Sequence, residues 1–179
     1  MFRTTKIFME KEKLKRIAII GLPGSGKSTF AKKLGKMLRI AVHHLDKHMF
    51  DGGVKRDKQE FLSIKERLVN EESWIIEGCA ISTLEMRFAR ADTIIYFHLS
   101  RWRCICRVFK RLLIFDKQTM DTGCLKGVNW PLIKYIWNFN RDKQKIIEGL
   151  RKRYPNVEFL IFRQSQDPNK YLEKLEVKQ

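Results

Sequence analysis

The sequence predicts an α/β fold: a five-stranded parallel sheet between two layers of helices. Three observations carry that expectation. Short apolar runs alternate with stretches of helical spacing along the chain. A glycine-rich turn, Gly21-Leu22-Pro23-Gly24-Ser25-Gly26-Lys27-Ser28, joins the first apolar run to the first helical stretch. The length of 179 residues, 44% of them hydrophobic, suits one packed domain.

The elements follow in order. Residues 1–14 read as a polar, basic arm ahead of the first strand, Arg16 to Ile20. Ser28 to Leu38 is helical, with Phe30, Ala31, Leu34, Met37 and Leu38 on one face. Ile40 to Leu45 reads as the second strand and Phe61 to Val69 as a helix. Trp74-Ile75-Ile76 is the third strand, ending in Glu77-Gly78, and Thr93 to Phe97 is the fourth. Arg101 to Phe115 is a basic amphipathic helix, and Asp116 to Asn129 a loop. Pro131 suits a helix start, and that pattern runs to about Arg153. Val157 to Phe162 is the fifth strand, and Pro168 to Val177 a last helix.

The turn at 21–28 fits the phosphate-binding pattern G-x-x-x-x-G-K-[ST] at every defined position. Such a loop turns consecutive backbone N–H groups inward around phosphate oxygens, and the helix N-terminus adds partial positive charge. The candidate nucleotide-binding residues are Gly21, Pro23, Gly24, Ser25, Gly26, Lys27, Ser28 and Thr29. Lys27 is expected to reach the β- and γ-phosphates, and the Ser28 hydroxyl to bind Mg²⁺. ATP and Mg²⁺ are therefore the expected cofactors.

Ligands of parallel sheets bind beyond the carboxyl ends of the strands, so the residues there are the next candidates. Asp46, after the second strand, is expected either to hold Mg²⁺ or to accept a proton from an attacking hydroxyl; a helix cap is the plain alternative. Glu77 is either a second acid near the metal or a salt-bridged surface group, and Gly78 permits close approach to a ligand. His43 and His44 point to opposite faces of a strand and read, with His48, as packing or hydrogen-bonding residues. The four tryptophans, Trp74, Trp102, Trp130 and Trp137, read as mostly core. Arg103, Arg107 and Arg111 are spaced four apart and form one helical stripe, suited to charge developing on a transferring phosphoryl group or simply to a solvated face. Arg87, Arg90 and Arg141 are further candidates for gripping phosphate.

Lys plus Arg number 37 against 20 Asp plus Glu, a net charge of +17. That excess favours a polyanionic partner, nucleotide or nucleic acid, and is spread along the chain rather than held in one tail. No apolar run approaches membrane-spanning length, the first sixteen residues do not resemble a secretory leader, and the four cysteines have no recurring spacing. The expectation is a cytoplasmic protein with reduced thiols.

Several segments together resemble the nucleoside-monophosphate-kinase-like P-loop kinases. They are Ile19 through Ser28, His44-Leu45-Asp46, Trp74 through Gly78, Leu84 through Asp92, Arg101-Trp102 and Arg107 through Arg111. More closely they resemble the adenylate-kinase-related group often labelled "DNA topology modulation protein". The resemblance implies a three-layer P-loop NTPase fold with strand order 2-3-1-4-5. It implies an acceptor-binding segment over about 46–70 and an arginine-bearing lid over about 103–140. It implies that adenine lies near Arg163-Gln164-Ser165, against Arg103 or Arg107. Asp46, Glu77, Gly78, Arg87 and Arg141 become the acceptor-side candidates, and Lys27, Asp46, Arg107 and Arg111 the catalytic ones. The chain departs from that group in having Glu77 where an aspartate is usual, and in lacking a tryptophan soon after Asp46.

The function expected is phosphoryl transfer from Mg-ATP to a small acceptor, a nucleotide or another phosphorylated metabolite. A GTPase would need a base-reading Asn-Lys-x-Asp, which the chain lacks. The alternative is a nucleic-acid-binding P-loop ATPase or a polynucleotide-end kinase, supported by the +17 charge.

Overall fold

A computed structural model describes residues 14–51, 54–113 and 130–176. For 50–51, 55, 111–113, 130–133, 135 and 140–142 it describes the backbone alone. The expected arm before residue 14 and the loop at 116–129 lie essentially outside the described residues.

Five parallel strands form the sheet: β1 (Arg16–Gly21), β2 (Val42–His44), β5 (Trp74–Glu77), β6 (Thr93–Phe97) and β7 (Glu158–Phe162). Their spatial order is β2-β5-β1-β6-β7, the expected 2-3-1-4-5 for the sheet strands taken in sequence. β1 is central, pairing Ile17 with Ile75 on one side and Thr93 on the other. A strand in that position has both faces covered, which explains the continuous apolar run Ile17-Ala18-Ile19-Ile20, every residue 0% exposed.

Side-chain alternation divides the core into two layers. Ile17, Ile19, Ile75, Ile95 and Phe97 pack against α1 (Lys27–Leu38) and α7 (Asp167–Glu176). Ala18, Ile20, Ile76, Ile94 and Tyr96 pack against α3 (Lys58–Val69), α4 (Leu84–Arg90) and α6 (Trp130–Arg153). A third cluster closes over the glycine-rich turn. Leu22 and Leu99 meet Cys104, Ile105 and Val108 of α5 (Arg101–Leu113), with Ile136 and Phe139 of α6. Each fully buried side chain of this size contributes about 1.5–3 kcal/mol of transfer free energy.

Three elements escape the sequence pattern. The second strand is shorter than expected, because Leu45 turns into the one-turn helix α2 (Leu45–His48) and tucks beneath Gly78. A hairpin follows, β3 (Phe50–Asp51) and β4 (Val54–Lys55), whose two-residue strands are too short to show a period. The seven-residue α4 buries only Leu84, Arg87 and Phe88, and a buried arginine interrupts its apolar stripe. The tryptophans also divide. Trp74 is fully buried, but Trp102 and Trp137 are 64% and 47% exposed, against the expectation of core.

Candidate active site

The glycine-rich turn takes the shape its residues require. Gly24 has φ +77°, and a Cβ there would lie 2.5 Å from the Cys104 carbonyl oxygen of α5. Only glycine combines that conformation with that approach. The turn delivers the chain to α1, whose N-cap is Gly26, with no side-chain cap and no acidic residue in its first turn. The positive end of α1 is therefore left to a ligand. The buried Ser25 hydroxyl has no partner among the described residues, as expected of a group that lines an anion cradle.

Lys27 and Ser28 then meet residues distant in sequence. The Lys27 Nζ donates to the Leu22 carbonyl at 2.9 Å and lies 3.6 Å from Glu77 Oε1. The Ser28 hydroxyl donates to Glu77 Oε2 at 3.1 Å, and His44 Nδ1 lies 2.9 Å from that same oxygen. Glu77 is thus the hub of the site. Burial works against its charge, but Lys27, His44 and Ser28 outweigh burial and hold its pKa below the ordinary value. Asp46, on α2, is exposed. The protein crowding its inner side, and next the Glu77 carboxylate, push its pKa up, while Lys27 and His44 pull it down.

Behind Glu77 the chain passes through Gly78, with φ +145° and space for a Cβ only 2.9 Å from that of Leu45. Arg87 fixes this loop. It is 2% exposed, and its two terminal nitrogens donate to the Gly78 and Ala80 carbonyls at 2.8 and 2.9 Å. Burial pushes its pKa down to about 10. The two terminal nitrogens of Arg87, expected to grip phosphate, are instead taken by loop carbonyls, while its buried Nε has no partner among the described residues. Arg90, the other candidate on α4, is exposed and donates to the Asn70 side chain at 2.7 Å.

On the far side of the turn lies a cleft of about 370 Å³, lined by Gly24, Ser25, Thr29, Arg107 and Ser165 among others. Arg107 ties its walls together, donating to the Ser25 carbonyl at 3.3 Å and to the Ser165 hydroxyl at 2.9 Å. Arg103 is exposed and does not line the cleft, and neither does Gln164, whose N–H donates to Asp167. Arg111 and Arg141 fall on helices α5 and α6, but their side chains lie outside the described residues. Pattern reading passed over Lys65, a buried lysine in the inward stripe of α3; a charged residue at a core position of a helical repeat is the signal that marks it.

The oxygen donors gathered here, Ser28, Glu77 and Asp46, are the set a hard cation such as Mg²⁺ takes, alongside water and phosphate. Among the described residues no three His, Cys, Asp or Glu side chains converge on one point. None of the described helices is long and apolar enough to cross a membrane.

Sheet order, glycine-rich turn and helical layers together define the P-loop kinase fold. Solved structures agree. A shikimate kinase from Acinetobacter baumannii in complex with shikimate superposes with TM-score 0.57 at 16% identity, covering 94% of this chain and 96% of its own. A gluconokinase from Sinorhizobium meliloti 1021 gives 0.53 at 16% identity, covering 90% and 89%. A shikimate kinase from Aquifex aeolicus gives 0.51 at 17%, covering 90% and 94%. No protein-family model matches the chain. Among curated proteins, 65 residues are 35% identical to the sublancin-168-processing and transport ATP-binding protein SunT of Bacillus subtilis (strain 168). That match takes in 35% of this chain but spans only 9% of the relative's length.

Proposed function

We propose that this protein is a small-molecule kinase that transfers the γ-phosphoryl group of Mg-ATP to a small phosphorylated acceptor. The observation that carries the proposal is the convergence of Lys27, Ser28 and Glu77, with Asp46 beside them, at the uncapped N-terminus of α1. In this reading the turn's backbone N–H groups and Lys27 bind the phosphates. Ser28, Glu77 and Asp46 would hold Mg²⁺, directly or through water, and the cation would neutralise charge on the phosphate oxygens. Arg107 closes the nucleotide cleft over adenine. The segments that resemble the adenylate-kinase-related group labelled "DNA topology modulation protein" support this reading, as do the kinase names of the structural neighbours.

In the step itself an acceptor oxygen forms a bond to the γ-phosphorus while the bond to the β–γ bridging oxygen breaks, and ADP leaves. An ionised phosphate acceptor has no proton to lose. A hydroxyl acceptor would hand its proton to Asp46. The raised pKa of Asp46 makes it a better base than an ordinary aspartate. The test is a Mg-ATP phosphorylation screen across nucleotides, nucleosides, sugar phosphates, sugars and oligonucleotide ends. Turnover of a nucleotide or sugar phosphate, lost in Lys27→Ala, is the expected result. ATP binding without transfer to any small acceptor would overturn it.

A polynucleotide end is the second reading, and one observation favours it. Trp102 and Trp137 are exposed and meet edge to face at 5.3 Å, with the Arg101 guanidinium 5.5 Å from the Trp137 ring. Exposed aromatic rings beside arginine suit stacked bases. Under this reading oligonucleotide affinity survives physiological salt and falls in Trp102→Ala. Affinity that collapses with salt and ignores Trp102 is general charge attraction.

A further inference from the structure

We infer that His44 is a positioning residue for the metal: through Glu77 it fixes how the Ser28 hydroxyl faces the cation of the metal–nucleotide complex. The inference rests on the kinase reading and adds to it a residue that the phosphate-binding pattern does not contain.

Strand alternation brings the two side chains together. Val42 and Ile75 pack on the α1 side of the sheet. His44 and Glu77, each two residues further along, point to that side as well. β2 and β5 are parallel neighbours in register, with His44 directly opposite Glu77. Both residues stand at the carboxyl ends of their strands, where α1 begins with Lys27 and Ser28. His43 points the other way, with its Nε2 3.3 Å from the Glu71 carboxylate. Of the two adjacent histidines, His44 is the one that reaches the site.

Hydrogen bonding divides the Glu77 carboxylate between its neighbours. Oε2 accepts from the Ser28 hydroxyl at 3.1 Å and lies 2.9 Å from His44 Nδ1. Oε1 faces the Lys27 ammonium at 3.6 Å. An ionised carboxylate only accepts, so Nδ1 carries the proton and donates it. His44 is 8% exposed and Glu77 5%, so this bond is shut away from bulk water. The torsion that turns a glutamate carboxylate is broad, and the side chain alone does not fix it. His44 supplies the second short hydrogen bond that does. The Ser28 hydroxyl has one hydrogen, committed to Glu77, so its lone pairs are left for a cation. A carboxylate free to turn would carry that hydrogen with it and re-aim the lone pairs. Hydrogen-bonded groups behind a metal ligand commonly change metal affinity by about 10–100-fold.

The test uses the full chain, a non-hydrolysable ATP analogue and Mn²⁺ as the probe cation. Mn²⁺ affinity of the analogue-loaded protein is read by electron paramagnetic resonance. Affinity for the analogue alone, with a chelator present, is read by calorimetry. The wild type is compared with His44→Asn and His44→Leu. The asparagine amide nitrogen falls near the place of Nδ1 and keeps the donor, whereas leucine keeps the bulk and removes it. His44→Leu should weaken Mn²⁺ binding by about tenfold or more, with metal-free analogue binding unchanged. His44→Asn should keep Mn²⁺ affinity within about threefold of wild type. Unchanged Mn²⁺ affinity in His44→Leu, or an equal loss in His44→Asn, overturns the inference. So does a loss of metal-free analogue binding that matches the loss of Mn²⁺, which marks His44 as packing. All three leave the kinase reading standing. If His44→Leu fails to fold, His44→Gln takes its place and should show the same loss, because its amide lies one bond too far out to meet Glu77 as Nδ1 does. A wild type that takes neither the analogue nor Mn²⁺ counts against the kinase reading itself and removes this inference with it.

Discussion

The donor and acceptor halves of the cleft are built on different plans. The donor half is one continuous stretch, β1, turn and α1, in which eight successive residues make the phosphate cradle. The proposed acceptor half takes Asp46 from α2 and Glu77 and Gly78 from the end of β5, with Arg87 of α4 holding the loop behind them. Its residues span more than forty positions and meet only in the fold. The donor half is therefore specified by one local run of sequence, whereas the proposed acceptor half depends on how distant segments are brought together.

Lys27 serves both halves, and its loss should have the largest effect. Lys27→Ala should lower turnover by about 10³-fold. Expectation from the motif alone is an intact fold, but Lys27 is also the ammonium beside buried Glu77. Removing it should cost about 2–3 kcal/mol of stability as well, readable by denaturant titration. An unchanged turnover in the folded variant would remove the donor assignment.

Asp46→Asn probes the acceptor side and should reduce turnover by about 10²-fold for a phosphorylated acceptor, partly restored by excess Mg²⁺. A larger loss that Mg²⁺ does not restore would point to a hydroxyl acceptor and a base role. In the wild type Asp46 must be ionised, so turnover should fall as pH drops through a value above the 3.8 of an ordinary aspartate. The Asp46→Asn variant should lack that limb.

Arg107→Ala should act on the donor side alone. The KM for ATP should rise about tenfold, because Arg107 joins the turn to Ser165, while acceptor KM stays constant. An equal change in both would mean that the halves are coupled through α5.

Stability against pH should respond least. Glu77 has a lowered pKa in the folded chain, so its stabilisation is present above about 4.5 and is lost as pH falls below that value through the folded pKa. Metal-free Glu77→Gln should show a flatter acid limb in thermal melts than wild type. Coincident limbs would remove Glu77 as the hub.

The parallel sheet, its central strand and the whole donor cradle were legible in the chain before any coordinates. The buried strand at 17–20, the helical repeat at 28–38 and the glycines between them are local signals; the central place of that strand came from the family resemblance. Asp46 and Glu77 were also legible as candidates, because the ends of parallel strands face the ligand. What surrounds those acids depends on contacts between distant segments. Glu77 became the partner of Ser28 and Lys27 because β1 and β5 lie side by side, with Ile19 opposite Glu77. Folding also reassigned the cations. Arg87 and Lys65 look alike as charges in a string of letters, but folding sets Arg87 against the Gly78 and Ala80 carbonyls and Lys65 against the Phe61 ring. Hydrogen-bond partners depend on distances between segments far apart in sequence, and no local spacing encodes those distances.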